Sequence, residues 1–142
     1  VTLHATLIAE RRGGQWRGVL VRGASGAGKS GLAIQLMQTG WRLVADDRVS
    51  VWRSGGRLFG RAPDTLAGLI EARTIGVCSA PTLPFVEIRR IIDAAPDPAA
   101  LDRVPEPLSA EIEGVVLPRL LLDLRAQTAA PAVQLWCGAE GV

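Results

Sequence analysis

The sequence predicts an α/β domain with a mixed, largely buried β-sheet and a glycine-rich loop at one end. Three observations predict it. A strand-like run over residues 16–21 leads into Gly23-Ala24-Ser25-Gly26-Ala27-Gly28-Lys29-Ser30, and Leu32, Ala33, Leu36 and Met37 then recur at helical spacing. Further apolar runs of strand length follow at intervals along the chain. Of the 142 residues 48% are hydrophobic, which argues against disorder and supports one domain over residues 1–142 with a usable core.

Each element has a local signal. Residues 5–9 alternate weakly, and Arg11-Arg12-Gly13-Gly14 supplies a turn into the strand at Trp16, giving a hairpin that enters the glycine loop. Gly40 is placed to cap the helix. Residues 41–45 read as a buried strand ending in Asp46-Asp47. Residues 49–52 and 57–59 flank Arg53-Ser54-Gly55-Gly56 as a second hairpin. Residues 62–72 carry the helix-start signal Pro63-Asp64, with Leu66, Leu69 and Ile70 as a short apolar face. Residues 84–92 are strand-like, 93–107 read as a loop rich in Pro and Asp, and 115–124 form the last strong apolar run. A short helix is expected over residues 132–137. No internal repeat or low-complexity tract is visible.

Composition excludes several function classes. The net charge is +2, and only Arg11-Arg12 and Arg89-Arg90 are adjacent cations, so nothing supports nucleic-acid binding. Cys78 and Cys137 lack zinc or C-x-x-C spacing. No secretory segment and no apolar run near eighteen residues is present, so a cytoplasmic protein with reduced thiols and no membrane partner is expected.

Lys29 is the only lysine among sixteen basic residues, and it stands inside a complete G-x-x-x-x-G-K-[ST] pattern. A random chain of this length meets that pattern on the order of 1% of the time or less. The glycines let successive backbone amides close around a phosphate, and a compact ammonium suits the β and γ phosphates better than a planar guanidinium. The Ser30 hydroxyl is placed to coordinate Mg²⁺, and the helix that follows directs its positive end at the same anion. Phosphoryl transfer also needs carboxylates, to hold Mg²⁺ and to accept a proton. Asp46-Asp47 stands at a strand end, where adjacent carboxylates repel unless a cation lies between them. Asp123, after Leu120-Leu121-Leu122, fits the same metal role, and residue order does not rank it below Asp46. Taken alone, Glu71 fits a solvated helix-end charge and His4 a surface residue near a terminus.

In order, Leu3-His4-Ala5, the loop 23–30, Gly40-Trp41-Arg42-Leu43-Val44-Ala45-Asp46-Asp47 and Ile70-Glu71-Ala72-Arg73-Thr74-Ile75-Gly76-Val77 resemble the catalytic domain of bacterial HPr kinase/phosphorylase. The resemblance implies a P-loop kinase fold of the HPr kinase/phosphoenolpyruvate carboxykinase-like type. It implies transfer of phosphate from ATP, with Mg²⁺, to a serine of the phosphocarrier protein HPr in phosphotransferase-system regulation. The family also removes that phosphate by phosphorolysis with inorganic phosphate, forming pyrophosphate, and it assembles as hexamers. On this resemblance, residues 23–30 cradle the nucleotide, Lys29 holds its β and γ phosphates, and Asp47 is the proton acceptor for the serine. Ser30, Glu71 and Asp46 serve the metal, His4 lies near the phosphate, and Arg103 neutralises charge on the transferring group. The chain then looks like a short form without the separate N-terminal domain. It departs from the family at Gly31, where members commonly carry Glu, and at residues 122–128, which match the segment linked to dephosphorylation poorly. Two alternatives remain: a small-metabolite P-loop kinase, and a nucleotide-sensing module that binds a partner without phosphorylating it.

Overall fold

The structure is a computed structural model and describes residues 1–140; the last two residues of the expected 1–142 domain lie outside the described residues. Its organising unit is the hairpin of β2 (Ala5–Arg12) and β3 (Gln15–Arg22), paired in continuous register from Ala5 opposite Arg22 to Arg12 opposite Gln15. Gly13 and Gly14 both adopt positive φ, the conformation that a two-residue turn between twisted antiparallel strands requires. β4 (Arg42–Ala45) pairs antiparallel with the outer edge of β2, and β9 (Val86–Ala94) lies parallel beside β3.

The sheet then forks along β9. Its first half pairs with β6 (Arg57–Arg61), which leads to β5 (Val49–Ser54) and the short β1 (Thr2–Leu3); its second half pairs in parallel with β11 (Val115–Leu122), which carries β10 (Leu108–Ile112). The result is a nine-stranded mixed sheet that curls around one core, in which Leu7, Leu20 and Ile91 pack with Val49, Leu58, Ile112 and Val115. The opposite face presents Ile8, Val19, Val21 and Ile92 to α1 (Lys29–Met37) and α2 (Ala129–Glu140). Burial on both faces explains why these strands read as continuous apolar runs instead of alternating ones. Where β3 meets β9 the register shifts at Gly18, and a Cβ there would lie 2.7 Å from both the Glu87 carbonyl oxygen and Val86 Cγ1.

The expected helix over residues 62–72 does not form. Pro63 is extended, a single 3-10 turn spans Asp64–Leu66, and Gly68 at positive φ breaks the path before β7 (Leu69–Ala72). β7 pairs with β8 (Gly76–Ser79) as a separate two-stranded ribbon. Leu66, Leu69 and Ile70, spaced to suit a helix face, line a cleft instead. The expected loop 93–107 begins two residues later than its composition suggests, because Asp93 and Ala94 complete β9. The short C-terminal helix expected over 132–137 is longer, since Pro131 sits in the first turn of α2, where its missing N–H costs nothing. Cys78 and Cys137 are free thiols, and burial pushes the Cys137 thiol up to about 12.

Candidate functional site

The loop 23–30 leaves the end of β3 and delivers the chain into α1, with Gly26 and Gly28 at φ +82 and +105. Lys29, only 7% exposed, turns its ammonium back on the loop and donates to the Gly23 carbonyl at 2.7 Å and to the Ala24 carbonyl at 3.0 Å. The Ala27 amide donates to Ala24, closing the loop as a turn. Beneath it, Arg22 grips the Asp93 carboxylate through two bonds at 2.7 and 2.8 Å, and Arg119 of β11 donates to the same carboxylate. Burial pushes the Asp93 carboxyl upward, but its bonds to Arg22 and Arg119 and their charges outweigh this and hold it below the ordinary carboxylate value. The two parallel neighbours of β9 are thereby tied together where the loop departs.

The two adjacent aspartates face different surroundings. Asp46 is buried and accepts from Ser30 Oγ at 2.7 Å, from Thr6 Oγ1 at 2.9 Å and from the Glu71 amide at 3.2 Å. Asp47 adopts φ 69, a left-handed conformation that a non-glycine residue holds only when its surroundings enforce it. Its carbonyl accepts from the Ala5 amide, which pins that conformation to β2. The exposed Asp47 carboxylate meets His4 Nε2 at 2.9 Å through Oδ1, while Arg48 Nε stands 4.0 Å from Oδ2. The turn thus separates a buried carboxylate, bonded to the loop serine, from an open one.

One cleft of about 410 Å³ collects His4, Thr6, Ser25, Gly26, Lys29, Ser30, Asp46, Asp47 and Glu71, walled by Leu66, Leu69, Ile70 and Val77. Every expected polar site residue but one therefore meets there or in the loop that borders it. Arg103 does not: it lies exposed in the connection after β9 and lines neither this cleft nor the one that adjoins it, so the structure does not bring it to this site. Glu71 lies on strand β7 and lines the cleft, and its amide donates to Asp46. Asp123 is drawn into its own turn, accepting from the Arg125 amide, and lines neither cleft; Asp46 is the carboxylate that meets Ser30.

Three contributors were not visible beforehand. Thr6 is fully buried, and its only signal was a hydroxyl within an apolar strand. Asp93 ends a strand whose partners are distant in sequence. Arg125, in the segment after β11, donates through Nη2 to the Gly26 carbonyl. Among the described residues no group of three or more His, Cys, Asp or Glu forms a metal cage, and no helix is long and apolar enough to cross a membrane. The donors facing Ser30 are all hard oxygens, a set suited to a cation held by one or two carboxylates plus ligand oxygens.

Fold and site together define a mixed α/β domain whose curled sheet presents a glycine loop, a serine and two differently placed carboxylates to one cleft. The chain is 37% identical over 120 residues to the HPr kinase/phosphorylase of Limosilactobacillus reuteri, covering 76% of this chain and 37% of that protein. It is 42% identical over 66 residues to the HPr kinase/phosphorylase of Clostridium tetani, covering 46% of this chain and 22% of that protein. The chain thus spans well under half the length of these relatives. A solved structure of the Hpr(Ser) kinase/phosphatase from Coxiella burnetii superposes with a TM-score of 0.83, covering 99% of this chain and 96% of that one at 23% identity, a likeness of fold. The family model described as the HPr Serine kinase C-terminal domain matches residues 4–85, and the chain belongs to that family.

Proposed function

We propose that residues 1–142 act as one catalytic domain, of the P-loop kinase, phosphoenolpyruvate carboxykinase-like type, that transfers the γ-phosphoryl group of ATP to a serine of HPr in a cytoplasmic, phosphotransferase-regulating setting. The observation that carries this reading is the division of labour at Asp46-Asp47: one carboxylate bonded to the loop serine, the other open to the cleft beside His4. In this mechanism the loop amides and Lys29 hold the β and γ phosphates, the ammonium exchanging part of its bonding to Gly23 and Ala24 for phosphate oxygens. Ser30, Asp46 and Glu71 would hold Mg²⁺, which when bound supplies charge neutralisation at the terminal phosphates. Thr6 and the Glu71 amide keep the Asp46 carboxylate aimed at Ser30.

Asp47 takes the proton of the incoming serine hydroxyl as that oxygen bonds to the γ phosphorus and the bond to the departing ADP breaks. His4 fixes Oδ1 of Asp47, and Oδ2, with Arg48 Nε 4.0 Å away, takes the proton. Because little covalent chemistry falls to the protein, the rate comes from positioning and preorganised charge. In the reverse direction an oxygen of inorganic phosphate attacks the phosphorus of phosphoserine, the bond to the serine oxygen breaks as Asp47 returns the proton to that oxygen, and the pyrophosphate formed is released. Arg103 reaches such a site only by movement of its connection or from a second copy of the chain in a homo-oligomer. The test is incubation with ATP, Mg²⁺ and HPr, read by mass spectrometry of HPr. Phosphoserine is expected; nucleotide binding with no transferred phosphate would refute the kinase reading and favour a sensing module.

A further inference from the structure

The sheet face that carries the helices also carries the cleft, and it runs on past both. In β2, Thr6 and Ile8 share this face: Thr6 reaches the cleft and Ile8 packs under the helices. In β5 and β6, Val49, Val51 and Leu58 point into the opposite core, so strand alternation turns Trp52 and Phe59 outward onto the same face as Thr6. Trp52 and Phe59 are cross-strand partners that stack with ring centroids 5.8 Å apart, and Phe85, immediately before β9, meets each of them at 6.4 Å. Both phenylalanines of the chain and one of its four tryptophans are thus gathered here, with Trp52 37% and Phe85 54% exposed. Rings clustered on open surface leave apolar area in water, a mark of an interaction site. Two carboxylates border them, and both are taken up: Asp64 by Arg61 at 3.3 Å and Glu87 by Arg89 at 3.9 Å. Arg57, two residues from Phe59 on β6, therefore adds net positive charge beside the rings.

We propose that this aromatic face docks the protein that presents the serine, seating an apolar patch of HPr on Trp52, Phe59 and Phe85 and an adjoining carboxylate on Arg57. A cleft of about 410 Å³ admits a side chain and not a protein, so a protein acceptor must be selected by contacts outside it. The face is placed to make them. β5 starts two residues after Asp47, and Trp52 lies about 17 Å along that path, within the footprint of one interface of about 800 Å² per partner. Aromatic rings flanked by arginine are also the side chains that carry most energy at such interfaces. Docking here would bring the serine to Asp47 without any contact to the nucleotide.

This inference rests on the proposed kinase reading, and binding measured apart from transfer separates the two. Isothermal titration of HPr into the protein with Mg²⁺-ADP, and steady-state transfer from Mg²⁺-ATP, are compared for wild type, Phe85→Ser and Arg57→Glu. Each variant should weaken HPr binding and raise the KM for HPr about tenfold, with kcat and Mg²⁺-ATP affinity within about twofold of wild type. Arg57→Lys should recover part of the loss. Unchanged HPr affinity in both variants, an equal loss of Mg²⁺-ATP affinity, or a variant of lower sedimentation mass, which would give the face to a second copy of the chain, would overturn the inference. So would a wild-type protein that binds no HPr. Wild-type protein that binds HPr through these residues but forms no phosphoserine would overturn the kinase reading and leave the docking face standing. If Phe85→Ser does not fold, Arg57→Glu, at an exposed position, decides by the same measurements.

Discussion

Replacing Asp46 by Ala removes an acceptor that three donors share, and the structure says what each donor does next. The Ser30 hydroxyl faces an open cleft and regains water. Thr6 is 0% exposed, so its hydroxyl has no solvent to turn to. The Glu71 amide is partly enclosed and loses a partner at 3.2 Å. An orphaned buried donor costs about 1–3 kcal/mol and a lost bond to a charged group a comparable amount, so Asp46→Ala should destabilise by about 2–5 kcal/mol. Asp46→Asn keeps an acceptor for the two hydroxyls but turns an NH₂ toward the Glu71 amide, or the reverse, and should cost about 1–2 kcal/mol. Denaturant unfolding followed by fluorescence of the four tryptophans measures both. The decisive arm is a cycle with Thr6→Val. Once the hydroxyl is gone, Asp46→Ala should cost about 1–3 kcal/mol less than in the wild-type background. A loss under about 0.5 kcal/mol for Asp46→Ala, or strict additivity with Thr6→Val, would refute the reasoning.

Two glycine variants should move stability in opposite directions under the same assay. Gly18→Ala drives a methyl against the Glu87 carbonyl and Val86, and should cost about 1–3 kcal/mol or more. Gly31→Ala meets open space in the first turn of α1 and should gain about 0.5–1 kcal/mol; a loss there would contradict the described environment. Asp93 sets a pH limit. Its folded pKa lies below its unfolded value, so its contribution is fully present above the ordinary carboxylate range and is lost as pH falls through the folded value. Asp93→Asn should therefore be less stable than wild type at neutral pH and show a flatter acid limb, read from unfolding midpoints across pH. Parallel acid limbs would remove Asp93 from the account.

Much of the site was legible because its signals are local. The glycine pair of the first hairpin, the apolar run into Gly23, the helical spacing after Lys29 and the strand ending at Asp46 each need only a few neighbouring residues to be read. The β7–β8 ribbon was not legible, because Leu66, Leu69 and Ile70 fit a helical face and a short apolar run does not declare its period. The choice of Asp46 over Asp123 depends on which strand end abuts Ser30, a contact across 16 residues that only the sheet order fixes. The contact of Arg125 with the loop was missed for the same reason. Arg125 touches a loop 99 residues away because β11 lies parallel to β9 and returns the chain to the loop's side of the sheet.

The proposed role of Asp47 as proton acceptor is tested most directly by single-turnover transfer from Mg²⁺-ATP to HPr, comparing wild type with Asp47→Asn under nucleotide saturation. Asp47→Asn should bind nucleotide within about threefold of wild type but form phosphoserine at least about 100-fold more slowly. Transfer by Asp47→Asn at the wild-type rate would contradict it.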